Sequence, residues 1–254
     1  MRLVDFRGAA LGLSLVAAVS IAAPPSRAAG GFSAEQRQAI EAIVRDYLIK
    51  NPDVMLEVLE AAKDKIRNDA EAQRTAALAE RRQEIFADPN APVVGNPQGD
   101  VTLVEFFDYR CPYCKQVAPA IESLLGEDKK LRIVYKEFPV LGPESVTASR
   151  AALAAGKQGK YEALHRTLLD MKGQINDAAI FNAAKSVGLD VDKLKRDMRA
   201  PEIDAMLQAN QQLAAALDIH GTPGFVIGDE VVPGAVGIDA LRQMIAAARS
   251  EKDK

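Results

Sequence analysis

The stretch of sequence that decides the fold is Glu105–Cys114, which reads EFFDYRCPYC. Its two cysteines, Cys111 and Cys114, are the only ones among 254 residues, so they do not belong to a larger framework of structural disulfides. Two thiols separated by two residues can close a disulfide across one turn and reopen it, which is redox chemistry. The Cys111–Cys114 pair is therefore the candidate redox-active disulfide, and we expect no other cofactor.

The residues on either side of the pair predict its surroundings. An apolar run over Val101–Phe107 is typical of a buried strand, and the apolar spacing from Val117 to Leu125 is typical of a helix. Cys111 is then expected at the exposed start of this helix, where unpaired N–H groups and the helix dipole favour a thiolate. We therefore predict Cys111 as the nucleophile and Cys114, about one turn further in and more buried, as the resolving cysteine.

Two other uses of the cysteines are weighed against redox chemistry. One is an inert structural disulfide or buried thiol pair. The other is a zinc site, which would need two further ligands, and the only histidines are His165 and His220. His165 stands between Leu164 and Leu168 in a helical stretch, so we predict a structural role for it.

The first 28 residues have the pattern of a signal peptide. Arg2 and Arg7 form a positive start, Gly8–Ala23 is apolar and uncharged, and Ser26–Ala28 offers small residues for a signal peptidase. An uncleaved N-terminal anchor is the alternative, although the apolar run is short for a membrane span. We predict export to a bacterial periplasm, where a lone CxxC can persist as a disulfide.

The charge balance excludes one class of partner. The formal net charge is −3, and removal of the predicted signal peptide leaves a chain of about −5. Because the sequence has no basic cluster with interleaved aromatic residues, we expect no nucleic-acid partner. The length suits one domain with an extension.

Residues 29–91 predict a helical extension without chemistry of its own. Ser33–Gln36 is a capping-box pattern, Asn51 and Pro52 start a second helix, and both helices carry apolar stripes. Residues 63–84 are rich in charged residues and alanine, which predicts a solvated helix or a flexible spacer. We favour self-association of the stripes, which makes residues 29–91 an oligomerisation segment and charged spacer, over packing on the rest of the chain.

The remainder of the chain predicts an α/β domain. After a Pro- and Gly-rich boundary at residues 88–97 come the strand and helix around the cysteines, a second strand at Leu131–Phe138 and a helical block from about residue 144 to 217. A hairpin around Gly228 and Asp229 and a closing helix over Ile238–Ala248 follow.

The EFFDYRCPYC stretch together with Gly221–Phe225, which reads GTPGF, resembles the DsbA-like thiol–disulfide oxidoreductases. The resemblance implies a thioredoxin fold over residues 92–254 with a helical domain inserted at about 144–217. The helical front segment, the Thr222–Pro223 pair and the exported context are most similar to the branch of the suppressor of copper sensitivity protein C (ScsC). That branch implies a trimer held by an N-terminal stalk and disulfide isomerase activity.

The resemblance also assigns roles to individual residues. Pro223 matches the family's cis-proline, which presents backbone to a bound substrate strand, and Thr222 before it modulates redox behaviour. Glu105 matches a carboxylate that relays protons to or from the buried cysteine. Its position within an apolar strand independently predicts burial and a raised pKa, with a solvated Glu at the strand end as the alternative.

Three neighbours of the cysteines complete the candidate site. Pro112 and Tyr113 bring neither charge nor imidazole, so we predict a weaker oxidant than a chain with histidine in that position. His220 adjoins the Thr222–Pro223 loop, and with Cys111 and Cys114 it could hold a soft ion such as Cu(I). A surface or core histidine is the simpler interpretation.

These observations predict an exported, oligomeric protein-disulfide isomerase or reductase acting on misfolded exported proteins, with a trimer favoured. A membrane thiol reductase must reduce Cys111 again, because the chain has no second CxxC. Two alternatives are a monomeric dithiol oxidase of the DsbA type and a Cu(I)-binding copper-tolerance protein.

Overall fold

A computed structural model describes residues 31–252. The predicted signal peptide, residues 1–28, lies outside the described residues. The chain divides into two compact units, residues up to Ala61 and residues from Ala62 onward. The elements in chain order are α1 (Ala34–Lys50), α2 (Pro52–Glu80), α3 (Arg82–Phe86), β1 (Val93–Gly95), β2 (Val101–Phe107), α4 (Pro112–Glu127), β3 (Leu131–Glu137), α5 (Pro143–Gly156), α6 (Tyr161–Asp170), α7 (Asp177–Ser186), α8 (Val191–Asp197), α9 (Pro201–Ala216), β4 (Gly224–Ile227), β5 (Glu230–Pro233) and α10 (Ile238–Lys252).

The predicted start of α1 is confirmed. Ser33 caps the helix through its side chain, which accepts a hydrogen bond from the Gln36 backbone N–H, and the Gln36 side chain accepts one from the Ser33 N–H. Asn51 ends α1, and Pro52 occupies the first position of α2 as predicted.

The first unit leaves its apolar side chains in solvent. α1 has no buried residue, and large apolar residues of α1 and of the first turns of α2 are 40–68% exposed. An open apolar cleft lies between these two helices and is lined by Ile40, Val44, Leu48 and Met55. Contiguous exposed apolar surface on helices is uncommon in a soluble monomer and marks an interaction surface. The exposed large apolar residues of this unit are Phe32, Ile40, Ile43, Val44, Tyr47, Ile49, Met55, Leu56, Val58 and Leu59.

The second unit is built on one five-stranded sheet in the order β1-β3-β2-β4-β5. β2 runs parallel to β3 and antiparallel to β4, and the edge strands β1 and β5 run antiparallel to their neighbours. Helix α4 makes the crossover from β2 to β3, and helices α5 to α9 lie between β3 and β4 in sequence. The predicted helical insertion at about residues 144–217 matches these five helices.

Both faces of the sheet are covered, because successive residues of β2 point to opposite sides. Leu103 and Phe107 belong to a core that includes residues of α4, α5, α6 and α10. Val104 and Phe106 belong to a second core with residues of α3 and α9. β2 is therefore an almost fully buried strand, as its apolar run predicts.

The packing corrects the predicted boundary at residue 91. The predicted extension over residues 29–91 includes Leu78, Ile85 and Ala91, but these three residues are buried in the second core against the sheet. Lys136 of β3 is likewise buried and pairs with Asp88 at 2.9 Å. The charged and alanine-rich composition of residues 63–84 gave no sign of this packing, because within this segment only Leu78 and, in part, Ala77 contact the second core.

The spacer is helical in this structure rather than extended or irregular. α2 continues to Glu80, and its side chains stay largely in solvent until Leu78. The solvated-helix prediction for residues 63–84 therefore describes the segment better than the flexible alternative, except at its C-terminal end.

Replacement of Ile85 by alanine tests whether α3 belongs to the catalytic unit. Ile85 is fully buried, so Ile85→Ala should lower the free energy of unfolding by about 2–5 kcal/mol through lost burial and a new cavity. Val140→Ala is the matched control, because Val140 is 44% exposed and its loss should change stability by less than about 0.5 kcal/mol. Denaturant unfolding of both variants measures the difference, and equal stabilities would contradict the packing of α3.

Candidate active site

Cys111 occupies the position just before helix α4. It is the N-cap residue in an extended conformation, and Pro112 follows at the start of the helix. No side chain caps this helix end, so unpaired N–H groups of its first turn lie beside the Cys111 thiol. The strand-to-helix transition predicted from the sequence therefore places the first cysteine at the positive end of the helix dipole.

The expectation that Cys111 is exposed is wrong. Only 4% of the residue is accessible, because the loop before β4 lies over it. The Cys111 thiol donates a hydrogen bond to the Thr222 carbonyl oxygen at 3.1 Å, and the Thr222–Pro223 peptide bond is cis, as the resemblance implied. Tyr113 remains 59% exposed at the surface beside the two cysteines.

Cys114 lies deeper than Cys111. It is 1% exposed, and both cysteines carry free thiols in this structure. Burial, with a further contribution from the negative charge of Glu105, raises the pKa of the Cys114 thiol well above its usual range. Cys114 therefore needs a group that removes its proton before it can attack a disulfide.

Glu105, whose charge acts on Cys114, is the candidate for that group. Its side chain is 2% exposed in the middle of β2, which excludes the solvated strand-end alternative. Burial, and then the charge of Glu137, raise the pKa of Glu105 to about 8. The predicted desolvation is confirmed, and a carboxyl that titrates near neutral pH can both accept and return a proton.

The raised pKa of Glu105 predicts a pH-dependent cost in stability. The folded protein keeps this carboxyl protonated up to about pH 8, whereas the unfolded chain ionises it above about 4.5, so stability falls as pH rises through that window. The Gln side chain of Glu105→Gln cannot ionise. With both cysteines as free thiols, this variant should therefore exceed the wild type in free energy of unfolding by about 3–5 kcal/mol at pH 8.

Denaturant unfolding at pH 4 and pH 8 measures this difference. At pH 4 the two proteins should be nearly equal in free energy of unfolding, since the wild-type carboxyl is then largely protonated in both the folded and the unfolded state. Glu251→Gln is the matched control, because Glu251 is exposed on α10 and should leave the pH dependence unchanged. A Glu105→Gln variant with no gain at pH 8 would contradict the burial of an acid with raised pKa.

Asp108 holds the loop that carries Cys111 in place, a role that no sequence pattern predicted. Its carboxylate accepts hydrogen bonds from the Arg110 N–H and the Ser145 hydroxyl, both at 2.8 Å. It also accepts from the backbone N–H groups of Val140 and Leu141 at 2.9 and 3.0 Å. One buried side chain thus fixes the loop before the cysteines to the segment that enters α5.

A second buried polar cluster lies around Glu137, at the end of β3. The hydroxyls of Tyr109 and Tyr161 each donate a hydrogen bond to Glu137 Oε1 at 2.9 Å. The other oxygen, Oε2, has no hydrogen-bond partner among the described residues. Burial raises the pKa of Glu137 to about 8, although the neighbouring hydroxyls of Ser149, Tyr109 and Tyr161 act in the opposite direction, and the negative charge of Asp108 adds to the rise. A Glu at the end of an apolar strand was the available sequence signal.

His165 joins this cluster and fulfils the predicted structural role. Its Nδ1 lies 3.1 Å from the Tyr109 hydroxyl, and its ring packs on Tyr135 with 4.1 Å between ring centroids. Burial lowers the pKa of His165 to about 3, so the ring is neutral at physiological pH.

The structure does not bring His220 to the cysteines. The His220 side chain is 78% exposed, and its Nε2 lies 2.7 Å from Asp218 Oδ1. Among residues 31–252, no three His, Cys, Asp or Glu side chains stand close enough together to hold a metal ion. The proposed Cu(I) site of Cys111, Cys114 and His220 is therefore wrong, because the exposed turn at Asp218 directs the imidazole to solvent rather than to the thiols.

A CxxC at a helix start, facing a cis-proline loop at the end of a buried strand, defines a thiol–disulfide oxidoreductase. The sequence model of the DSBA-like thioredoxin domain matches residues 102–246, more than half of the chain. The chain belongs to this family, and its fold is the predicted thioredoxin fold with a helical insertion. The model of the copper resistance protein ScsC N-terminal domain matches residues 36–67.

Solved structures support both assignments. A thioredoxin-like oxidoreductase from Silicibacter pomeroyi is 48% identical, with a TM-score of 0.66 over 66% of this chain and 98% of that one. Proteus mirabilis ScsC in a transitional conformation is 31% identical, with a TM-score of 0.64 over 87% of this chain and 98% of that one.

The curated relatives are larger proteins. The Na⁺/H⁺ antiporter NhaA 1 of Salinispora arenicola is 30% identical over 164 residues, which are 63% of this chain but 25% of the antiporter. The chain thus spans about a quarter of the length of such relatives. Within residues 31–252, no helix has the length and apolar character that a membrane span requires.

Proposed function

We propose that the protein is an exported, oligomeric protein-disulfide isomerase and reductase that acts on misfolded proteins. The observation that carries this proposal is the combination of a CxxC dithiol at a helix start with N-terminal helices whose apolar side chains are exposed. The dithiol supplies the chemistry, and the helices supply a surface for self-association.

The reaction begins at Cys111. Its thiolate forms a bond to one sulfur of a client disulfide, that disulfide breaks, and the electron pair leaves with the other client sulfur. A second client thiolate can then displace Cys111, which completes an isomerisation. Alternatively Cys114 displaces the client, which leaves the client reduced and a disulfide between Cys111 and Cys114.

Glu105 carries the proton for the second route. Cys114 is a buried thiol, and its proton passes to the Glu105 carboxylate when Cys114 attacks. When the Cys111–Cys114 disulfide is opened again, the Cys114 sulfur takes the electron pair and Glu105 returns the proton. Both side chains are buried, which favours direct transfer over exchange with bulk water.

The Thr222–Pro223 loop and the neighbours of Cys111 shape this reaction. The Thr222 carbonyl accepts the hydrogen bond of the Cys111 thiol, so this loop lies where a client strand must approach. Pro112 and Tyr113 add no charge beside Cys111, which supports a less oxidising dithiol. Such a dithiol suits isomerisation and reduction, which both require Cys111 to be reduced.

Self-association raises the rate on clients with several disulfides. The match of residues 36–67 to the ScsC N-terminal domain and the exposed apolar residues of α1 and α2 support an assembly through this segment, with a trimer favoured. Catalytic units that share one assembly act on a bound client at high effective concentration.

Two further partners follow from the chemistry. An external membrane thiol reductase supplies two electrons and two protons to the Cys111–Cys114 disulfide, because the chain has no other cysteine. The leader-like residues 1–28 support a periplasmic location, where misfolded exported proteins with wrong disulfides are the substrates.

The proposal is tested with the chain that starts after Ala28, at its natural length. In a glutathione buffer it should restore activity to ribonuclease with scrambled disulfides, and light scattering should give the mass of a trimer. A monomer that oxidises reduced ribonuclease but leaves the scrambled form unchanged would instead be a dithiol oxidase, and the isomerase proposal would be wrong.

A further inference from the structure

Two buried carboxyls share one face of the sheet. In the register of β2 and β3, Glu105 pairs with Tyr135 and Phe107 pairs with Glu137. Because side chains two residues apart point to the same side, Glu105 and Glu137 are diagonal neighbours, and the strand spacing and the rise per residue place their backbones about 8 Å apart. Glu105 is 2% exposed and Glu137 is fully buried.

No cation among residues 31–252 pairs with these two carboxyls. In the described chain neither Glu105 nor Glu137 forms an ion pair, and His165 beside them is neutral. A cavity of 290 Å³ reaches Glu105 and is lined by further acidic residues and by Arg166, which pairs with Glu122 at 2.8 Å. The neighbouring cations have partners elsewhere: Lys115 of α4 with the Met171 carbonyl, Arg150 of α5 with Asp204, and Lys157 just after α5 with Glu202. The acidic residues that line the cavity with Glu105 are Glu122, Glu162 and Asp170.

The hydrogen bonds decide which of the two carboxyls ionises first as the pH rises. Glu137 Oε1 accepts two hydrogen bonds, from Tyr109 and Tyr161, and donors of this kind stabilise the ionised form. No group among residues 31–252 donates a hydrogen bond to Glu105. Because two like charges in a dry core repel strongly, ionisation of Glu137 disfavours ionisation of Glu105.

We propose that Glu137 is a positioning residue for the exchange reaction: once it has ionised, its buried carboxylate, held by Tyr109 and Tyr161, keeps on Glu105 the proton that Cys114 receives. This inference rests on the proposed role of Glu105. When a thiolate attacks the Cys111 sulfur of the internal disulfide, the electron pair passes to Cys114 and the Glu105 proton follows it. Glu137 thus sets the pH range in which Glu105 holds the proton needed for this step.

The test follows the Glu105 carboxyl directly by ¹³C NMR in the disulfide form, in which neither cysteine titrates. Glu137→Gln removes the charge and keeps an oxygen that can accept from the tyrosines. The titration midpoint of Glu105 should fall by about one pH unit in this variant. Glu251→Gln, an exposed change on α10, should leave the midpoint where it is in the wild type. An unchanged midpoint in Glu137→Gln would overturn the proposal.

The wild type provides a second measurement that needs no variant to fold. If the two carboxyls are coupled, the Glu105 signal should show an additional inflection at the pH where Glu137 titrates. A single inflection with no response to Glu137 would overturn the proposal as well.

A kinetic readout separates this inference from the proposed role of Glu105. The rate of reduction of the Cys111–Cys114 disulfide by dithiothreitol, divided by the reductant's thiolate concentration, should fall above the Glu105 midpoint. In Glu137→Gln this fall should begin about one pH unit lower. If Glu105→Gln reduces as fast as the wild type at every pH, the proton-transfer role of Glu105 fails, and with it the positioning role of Glu137. If the NMR titrations of Glu105 and Glu137 were still coupled in that case, the two carboxyls would interact electrostatically but would play no part in proton transfer.

Discussion

Replacement of Cys111 by serine will lower the rate of disulfide exchange by at least about a thousandfold, because a hydroxyl cannot replace the attacking thiolate. Cys114 cannot substitute for it. That thiol is 1% exposed, and burial together with Glu105 raises its pKa well above the usual range. The measurement is the initial rate at which the protein that starts after Ala28 reduces a disulfide-linked fluorescent peptide.

Ala120→Ser is the matched control for this substitution. It introduces the same side chain at a half-buried position of the same helix, away from the cysteines, and should retain the wild-type rate. A Cys111→Ser protein that retains more than about one tenth of the wild-type rate would show that another group performs the attack.

Removal of residues up to Glu71 will convert an oligomer into a monomer and lower the isomerase rate on scrambled ribonuclease by about tenfold or more. The deletion takes away the exposed apolar residues of α1 and the first part of α2, but it leaves Leu78 and Ile85 in the core of the sheet. The rate on a peptide with a single disulfide should remain near the wild-type value, because the dithiol site is intact. Light scattering and the two assays together measure the effect.

A second truncation makes this experiment specific. A chain that starts at Pro92, the boundary predicted from the sequence, loses Leu78, Ile85 and the partner of buried Lys136. It should lose several kcal/mol of stability and aggregate, since it leaves a buried ammonium unpaired. If the chain that starts after Glu71 is still an oligomer, or a monomer with full isomerase activity, the role assigned to the N-terminal helices is wrong.

The local signals in the sequence predicted much of the catalytic unit. The apolar run before the cysteines, the turn at Gly228 and the GTPGF stretch each specify structure through neighbouring residues, and the strands, the hairpin and the cis bond are where they were expected. The burial of Glu105 also followed from local context, because a strand with apolar residues on both faces has no exposed position.

The features that the sequence did not predict depend on contacts between distant residues. Strand β1 has only three residues and lies within a segment rich in Pro and Gly, and it forms because β3 offers it an edge. The burial of Leu78 and Ile85 requires the face of the sheet formed by β2 and β3. Neither contact leaves a periodic pattern in the chain.

Contacts between residues distant in sequence also explain why several features of the active site could not be predicted. Cys111 is covered by a loop more than a hundred residues later, so its own neighbours gave no sign of burial. Glu137 acquires its role from tyrosines 24 and 28 residues away in sequence. His220 adjoins the cis-proline loop in sequence, yet its side chain points to solvent.

The most direct test of the central claim is to trap the intermediate. Cys114→Ser should still attack a client disulfide but cannot resolve the product, so a mixed disulfide should accumulate with ribonuclease whose disulfides are scrambled. Peptide mapping by mass spectrometry should then find Cys111 linked to a ribonuclease cysteine. If no Cys111-linked peptide forms while the wild-type protein catalyses exchange, the assignment of Cys111 as the attacking thiol is wrong.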